Sequence, residues 1–180
     1  MKINKRRRIE GKTNYKKRIR LLKAGAGRIV FRKTNKYIIG QYIKSKEAQD
    51  SVARGIDSKI LIKYGWPKEA SGSLKSLPAC YLTGLLLGRK IIDKEGKTKA
   101  VLDIGLLRNT PKSRMYAFLK GVIDAGVDIP CSAEFPDESR IFGRHLKKNI
   151  NFEKIKEKIK NDTPNSQGYK NVKSKIKFRN

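Results

Sequence analysis

The run from Arg28 to Gln41, RIVFRKTNKYIIGQ, restricts this chain more than any other stretch. Two segments of period-two alternation flank the turn formers Thr34, Asn35 and Lys36, which is the pattern of two antiparallel strands joined by a short connection. In the first strand Ile29, Phe31 and Lys33 share one face, and Arg28, Val30 and Arg32 share the other. In the second, Tyr37, Ile39, Gln41 and Ile43 alternate with Ile38, Gly40 and Tyr42. Symmetric pairing about Asn35 sets Arg28 against Tyr42, Val30 against Gly40 and Arg32 against Ile38, with Ile29, Phe31 and Ile39 turned to the core. Arg28, Arg32, Lys33 and Lys36 are more cations than a core hairpin accommodates. One face is therefore expected on a core and the other on an anion, and a one-residue slip in register would exchange their members.

Charge extends that expectation to the whole chain. The formal net charge is +28 over 180 residues, which calls for a polyanionic partner. Residues 1–36 carry 15 basic and one acidic side chain, and residues 140–180 carry 13 and three, whereas 37–139 are nearly balanced at 16 and 12. This is the layout of one nearly balanced globular domain with basic ends: an N-terminal arm and helix over 1–27, a core over 28–146 and a C-terminal extension over 147–180. Cys80 and Cys131 lie far apart in apolar contexts and are expected as buried thiols. With His145 the only histidine, no usual zinc cluster can be assembled, and no cofactor is expected. No signal-like or membrane-spanning apolar run is present, so a soluble intracellular protein is expected.

Residues 1–12 lack periodicity and are expected to order only on a partner. Thr13 reads as the cap of a helix with Tyr15, Ile19 and Leu22 on one stripe and Gly25 just past its end, its other faces carrying Lys16, Lys17, Arg18, Arg20 and Lys23. Ser51–Gly55 suits a short edge strand, Ser58–Tyr64 a helical turn or two, and 68–77 a polar loop. Pro78 opens a helix that is apolar on nearly every side, in which Gly84 and Gly88 are expected to allow close packing against the sheet. Lys99–Ile104 has the consecutive apolar residues of a central parallel strand. Met115, Phe118, Leu119, Val122 and Ile123 mark an amphipathic helix over Ser113–Ala125, stopped by Gly126, after which Val127–Cys131 is expected to return as a parallel strand. Pro136 and Asp137 start a further helix through Arg144 or Leu146. Asn151 reads as the cap of a marginal helix with Phe152, Ile155 and Ile159 on one stripe, and 163–180 is expected to be disordered in isolation.

No nucleophile and base arrangement is visible. The one enzymatic alternative is a metal-dependent nuclease acting on structured RNA, with Asp103 at a strand end joined by Asp57, Asp124 or Glu138. Against it, Asp103 equally suits a hydrogen bond to the loop at Gly105. A membrane-surface helix would need bulkier apolar anchors, and a DNA-binding protein a helix-turn-helix or zinc module, so neither membrane nor DNA is expected as a partner. Structured RNA fits the cations of arm, helix and hairpin, with Tyr15, Tyr37 and Tyr42 as stacking surfaces.

The segments EGKTNYKKRIRLLKAG, RIVFRKTNKYIIGQ, KYGW, PACYLTGLLLGRK, AVLDIGLLR, FLKGVIDAGVDIP and FPDESRIFGRHL, in that order from Glu10 to Leu146, resemble the archaeal and eukaryotic branch of universal large-subunit ribosomal protein eighteen. The resemblance implies an α/β domain, a mixed β-sheet packed by helices, that serves as a non-enzymatic constituent of the cytoplasmic large ribosomal subunit. Its implied partners are 5S rRNA, large-subunit rRNA and the neighbouring proteins of the central protuberance. Carried over by position, the implied RNA contacts are Arg6, Arg7, Arg8, Tyr15, Lys16, Arg18 and Arg20 in the arm and helix. Arg28, Arg32, Lys33, Asn35, Lys36, Tyr37 and Gln41 continue them through the hairpin, and Lys12 of the basic arm and Tyr42, the ring set beside Arg28, complete the candidate RNA contacts.

Overall fold

The computed structural model describes residues 4–47, 49–132, 134–146 and 150–162. The alternating segments form β1 (Gly27–Lys33), β2 (Ile38–Lys46) and β3 (Gln49–Asp57), an antiparallel meander. A fourth strand, β4 (Ala100–Asp103), lies parallel to β1, giving the order β3-β2-β1-β4. The parallel pairing is as expected, but β4 ends this order instead of lying at its centre. The strand expected at Val127–Cys131 is reduced to a single parallel bridge, Lys99 to Asp128. β3 is longer than expected and carries an extra residue, Ala53, between the pairs Tyr42–Arg54 and Ile43–Val52.

The hairpin register differs by one residue from symmetric pairing about Asn35. Observed partners are Arg28–Ile43, Ile29–Tyr42, Val30–Gln41, Phe31–Gly40, Arg32–Ile39 and Lys33–Ile38. The cause is the connection, which has four residues, not three. The Thr34 amide donates to the Tyr37 carbonyl (2.9 Å), the Thr34 hydroxyl donates to the same oxygen (2.6 Å), and the Tyr37 amide donates back to that hydroxyl (3.1 Å). These bonds hold Tyr37 in the turn. Consequently Tyr42, Gly40 and Ile38 join Ile29 and Phe31 on the inner face, while Ile39, Gln41 and Ile43 go outward with Arg28, Val30 and Arg32.

The inner face is covered by α3 (Leu77–Glu95) and α4 (Arg114–Asp124), both of which follow the expected apolar patterns. Gly84 and Gly88 serve close packing, but against α4 and not the sheet. A Cβ on Gly84 would overlap the Phe118 carbonyl, and one on Gly121 of α4 would overlap the Tyr81 carbonyl. Gly40 leaves room for the Phe118 ring, which a Cβ there would approach to 2.7 Å, and Phe118 packs on Phe31 with centroids 5.3 Å apart.

Two 3-10 helices, Ser58–Ile62 and Lys68–Ser73, follow β3. The second replaces the expected polar loop, and the Trp66 indole donates to its Ala70 carbonyl (3.1 Å). The helix after Pro136 is a single turn, α5 (Glu138–Ile141). α6 (Phe152–Asn161) follows Asn151 and buries Phe152, Ile155 and Ile159 in the core, so this part of 147–180 packs with the domain. Residues 163–180 lie outside the described residues. Cys80 is buried, and desolvation pushes its thiol up to about 12; Cys131, contrary to expectation, is exposed.

Before the sheet come α1 (Arg6–Ile9), one helical turn within a stretch expected to lack structure, and α2 (Tyr15–Lys23). Asn14, not Thr13, caps α2, accepting the Lys17 amide at 3.1 Å, and Gly25 follows its end with φ +64°. Ile19 is 52% exposed, so the expected stripe of Tyr15, Ile19 and Leu22 is not a buried one.

Candidate nucleic-acid interface

The outer face of the hairpin divides along β1. At its start Arg28 is 3% exposed and sits in a cage of oxygens. Its guanidinium donates to Asp103 Oδ2 at 3.0 Å, to Asp50 Oδ1 at 2.6 Å and to Ser45 Oγ at 3.0 Å. Asp50 also pairs with Arg18 of α2 at 2.9 Å, and Asp103 Oδ1 accepts the Gly105 amide at 2.9 Å. One buried cation thus ties β4, the turn end of β2–β3 and α2 together. Burial by itself would raise the Asp50 carboxyl. Hydrogen bonds from Ser45, Arg28 and Arg18 outweigh it and hold the group below its ordinary value.

At the other end of β1, Arg32 and Lys33 are exposed, and among the described residues neither meets a carboxylate. They form one side of an open groove of about 930 Å³ between the sheet and the arm. Arg7, Lys12, Lys17 and Arg18 line its opposite wall, and Asp103 through Leu107 close its end. Arg7 is steadied by a hydrogen bond to Thr13 Oγ1 (2.9 Å), and Lys17 reaches the Gly105 carbonyl (3.3 Å). Glu10 pairs with both Arg6 and Lys12 at 2.9 Å, in solvent where such pairs contribute little. Tyr15 lines the groove with the Lys5 ammonium 4.9 Å from its ring centre.

Of the sixteen candidate RNA contacts, Arg7, Lys12, Tyr15, Arg18, Arg32 and Lys33 thus converge on one groove. Arg6, Arg8, Lys16 and Arg20 are exposed on the arm and α2, outside its lining. Asn35 and Lys36 are exposed in the turn, where Lys75 donates to the Asn35 carbonyl (2.8 Å). Tyr37 is half-buried under the Lys59 ammonium, 4.3 Å from its ring centre, and Gln41 is half-buried on the outer face. Two positions need correction. Tyr42 is 2% exposed inside the core, where the register turns it inward, and offers no stacking surface. Arg28 is enclosed by its carboxylate partners. Lys17, outside the expected contacts, also lines the groove; only its reach across to Gly105 sets it apart from its neighbours on a uniformly basic helix, and no local pattern signals that reach.

Of the four carboxylates expected at a metal site, three are occupied separately. Asp103 binds Arg28 and Gly105, Asp124 accepts the Tyr81 hydroxyl at 2.7 Å, and Glu138 lies 3.6 Å from Lys120. Among the described residues no group of three His, Cys, Asp or Glu side chains could hold a metal ion. No described helix is long and apolar enough to cross a membrane.

Comparison with known proteins bears on what such a groove serves. A family model described as ribosomal large subunit proteins 60S L5 and 50S L18 matches residues 1–99 and 91–132. The large ribosomal subunit protein uL18 of Korarchaeum cryptofilum is 51% identical over 146 residues, 81% of this chain and 72% of the relative. The uL18 proteins of Methanoculleus marisnigri and Methanospirillum hungatei are each 45% identical over 142 residues, 78% of both chains. The chain belongs to the uL18 family. The residues matched by the family model take in the arm, α2, the hairpin and the α3–α4 layer, so the groove and the helices behind the sheet fall within the match.

Proposed function

We propose that this uL18 chain is a structural, non-enzymatic constituent of the cytoplasmic large ribosomal subunit that binds 5S rRNA. It would anchor that RNA with large-subunit rRNA in the central protuberance, beside the neighbouring proteins there. The observation that carries the reading is the convergence of Arg7, Lys12, Lys17, Arg18, Arg32 and Lys33 on one open groove in a member of this family. The groove supplies phosphate neutralisation along an RNA backbone, with Tyr15 offering a partly exposed ring at its wall. Arg6, Arg8, Lys16, Arg20, Asn35 and Lys36 extend the contact along arm and turn. Tyr37 and Gln41 border it, and Arg28 acts from inside by fixing α2 to the sheet.

Pull-down of the tagged chain from a lysate, followed by sizing of the bound RNA, tests the partner. A 5S-sized RNA is expected; recovery of DNA or of no RNA contradicts the reading. Magnesium-dependent loss of that RNA on incubation with the purified chain, abolished by Asp103→Ala, would support the nuclease alternative instead.

A further inference from the structure

A second groove, of about 780 Å³, opens on the far side of Lys33 and Leu107, which line both grooves together with Phe31. Its charged lining is Lys33, Arg108, Lys112, Arg114 and Arg140, with the His145 ring beside them, and no carboxylate lines it. Among the described residues Arg108, Arg114 and Arg140 have no ion-pair partner, and Lys112 has only a loose one, Asp137 at 3.7 Å. This distinguishes them from Arg28, whose charge is spent inside the protein. Like charges gathered around one concavity raise the free energy of the uncomplexed fold and attract an anion that spans them.

The backbone around this groove is fixed. Tyr116 donates to Asn109, the Leu107 amide donates to the Ile104 carbonyl (3.0 Å), and the Lys112 amide donates to the Glu134 carbonyl (3.2 Å). Lys112 is held at φ +54°, a left-handed conformation that a non-glycine residue adopts at a cost. The groove also receives the first residues of α3 and α4. Neither cap serine, Ser76 nor Ser113, caps its helix through the side chain, neither first turn holds an acid, and Ser76 Oγ is buried without a partner. The positive ends of both helices therefore add to the side-chain field.

From this we infer that the second groove is a further RNA-backbone site: one RNA runs from the arm groove over Lys33 and Leu107 and seats phosphates among Arg108, Lys112, Arg114 and Arg140. The inference rests on the proposed RNA-binding role and extends its surface to the helix N-termini.

The test is a salt titration of full-chain binding to 5S rRNA, and to an unrelated structured RNA of equal length. Arg114→Gln with Arg140→Gln is compared with Lys94→Gln with Lys97→Gln, an equal charge loss on exposed lysines around the other end of α3, about 28 Å away for a 19-residue helix. The groove pair is expected to weaken binding at least tenfold and to flatten the log–log salt slope by about 1.5. The distal pair should change affinity less than threefold, and Arg114→Lys with Arg140→Lys should restore the slope. Equal slopes for the groove and distal pairs overturn the inference and leave the groove to an acidic protein segment. Because slopes are read on both RNAs, a lack of preference for 5S rRNA removes the proposed partner while the slopes still decide the groove.

Discussion

Arg28 and Arg32 stand four residues apart on the same face of the same strand, yet one is enclosed by Asp50, Asp103 and Ser45 and the other faces an open groove. The difference lies in what covers each end of β1. Near Arg28, the far ends of β2 and β3 bring Ser45 and Asp50 over the sheet, and β4 brings Asp103 alongside. Near Arg32 and Lys33 the hairpin turn leaves the strand uncovered. A cation on this hairpin is therefore not by that fact a ligand contact. The inner face of the hairpin sharpens the contrast: Ile29, Phe31, Ile38 and Tyr42 are at most 4% exposed, and shape alone decides there.

If the inner face is governed by shape, Gly121→Ala should be among the most damaging single methyl additions, because its Cβ would meet the Tyr81 carbonyl, a backbone atom that cannot turn aside. A loss of about 3 kcal/mol is expected from overpacking, read as a fall in urea midpoint. An unchanged midpoint would show that the α3–α4 crossing is looser than described.

Arg28→Met probes the buried end of the outer face. It removes the cation that bridges Asp50 and Asp103, and should cost about 2 kcal/mol of stability, less than a fully buried pair because both carboxylates are partly exposed. Arg32→Ala with Lys33→Ala should leave stability within about 0.5 kcal/mol while weakening RNA binding about tenfold, or about 1.4 kcal/mol. A large loss of stability in this pair would abolish the distinction between the two ends.

The smallest effect is expected in acid. Because the Asp50 carboxyl is held below its ordinary value near 3.8, its contribution is fully present above that pH and is lost as pH falls through the lower, folded-state value. Amide exchange should show α2 losing protection below about pH 3.8 while α3 and α4 keep theirs. Protection retained in α2 would mean that Arg18 and Asp50 do not hold it.

Much of this contrast was legible in the sequence, and the part that was not has a physical reason. Period-two and period-3.6 patterns located β1, β2, α3 and α4, because burial of one face imposes those spacings directly. Register was not legible: it turned on Thr34 bonding Tyr37 twice through its side chain, which lengthens the turn to four residues and moves Tyr42 from the outer, cationic face to the core. Long-range pairing was equally hidden. Nothing around Arg28 announces Asp103, 75 residues away, nor does the basic loop RNTPKSR announce that Arg140 and Lys33 will stand beside it. α6 is marginal by sequence because ten residues are too few to hold a helix in water, yet three apolar residues docked on the core suffice to place it.

The central claim, that RNA is held by the open end of β1 and its arm while Arg28 serves the fold, is tested most directly by one comparison. The salt dependence of 5S rRNA binding should be measured for the wild-type chain and for Arg32→Ala with Lys33→Ala. The account predicts a steep wild-type slope that flattens by about 1.5 in the double variant, the amount for two released phosphate contacts. Superimposable slopes would contradict it.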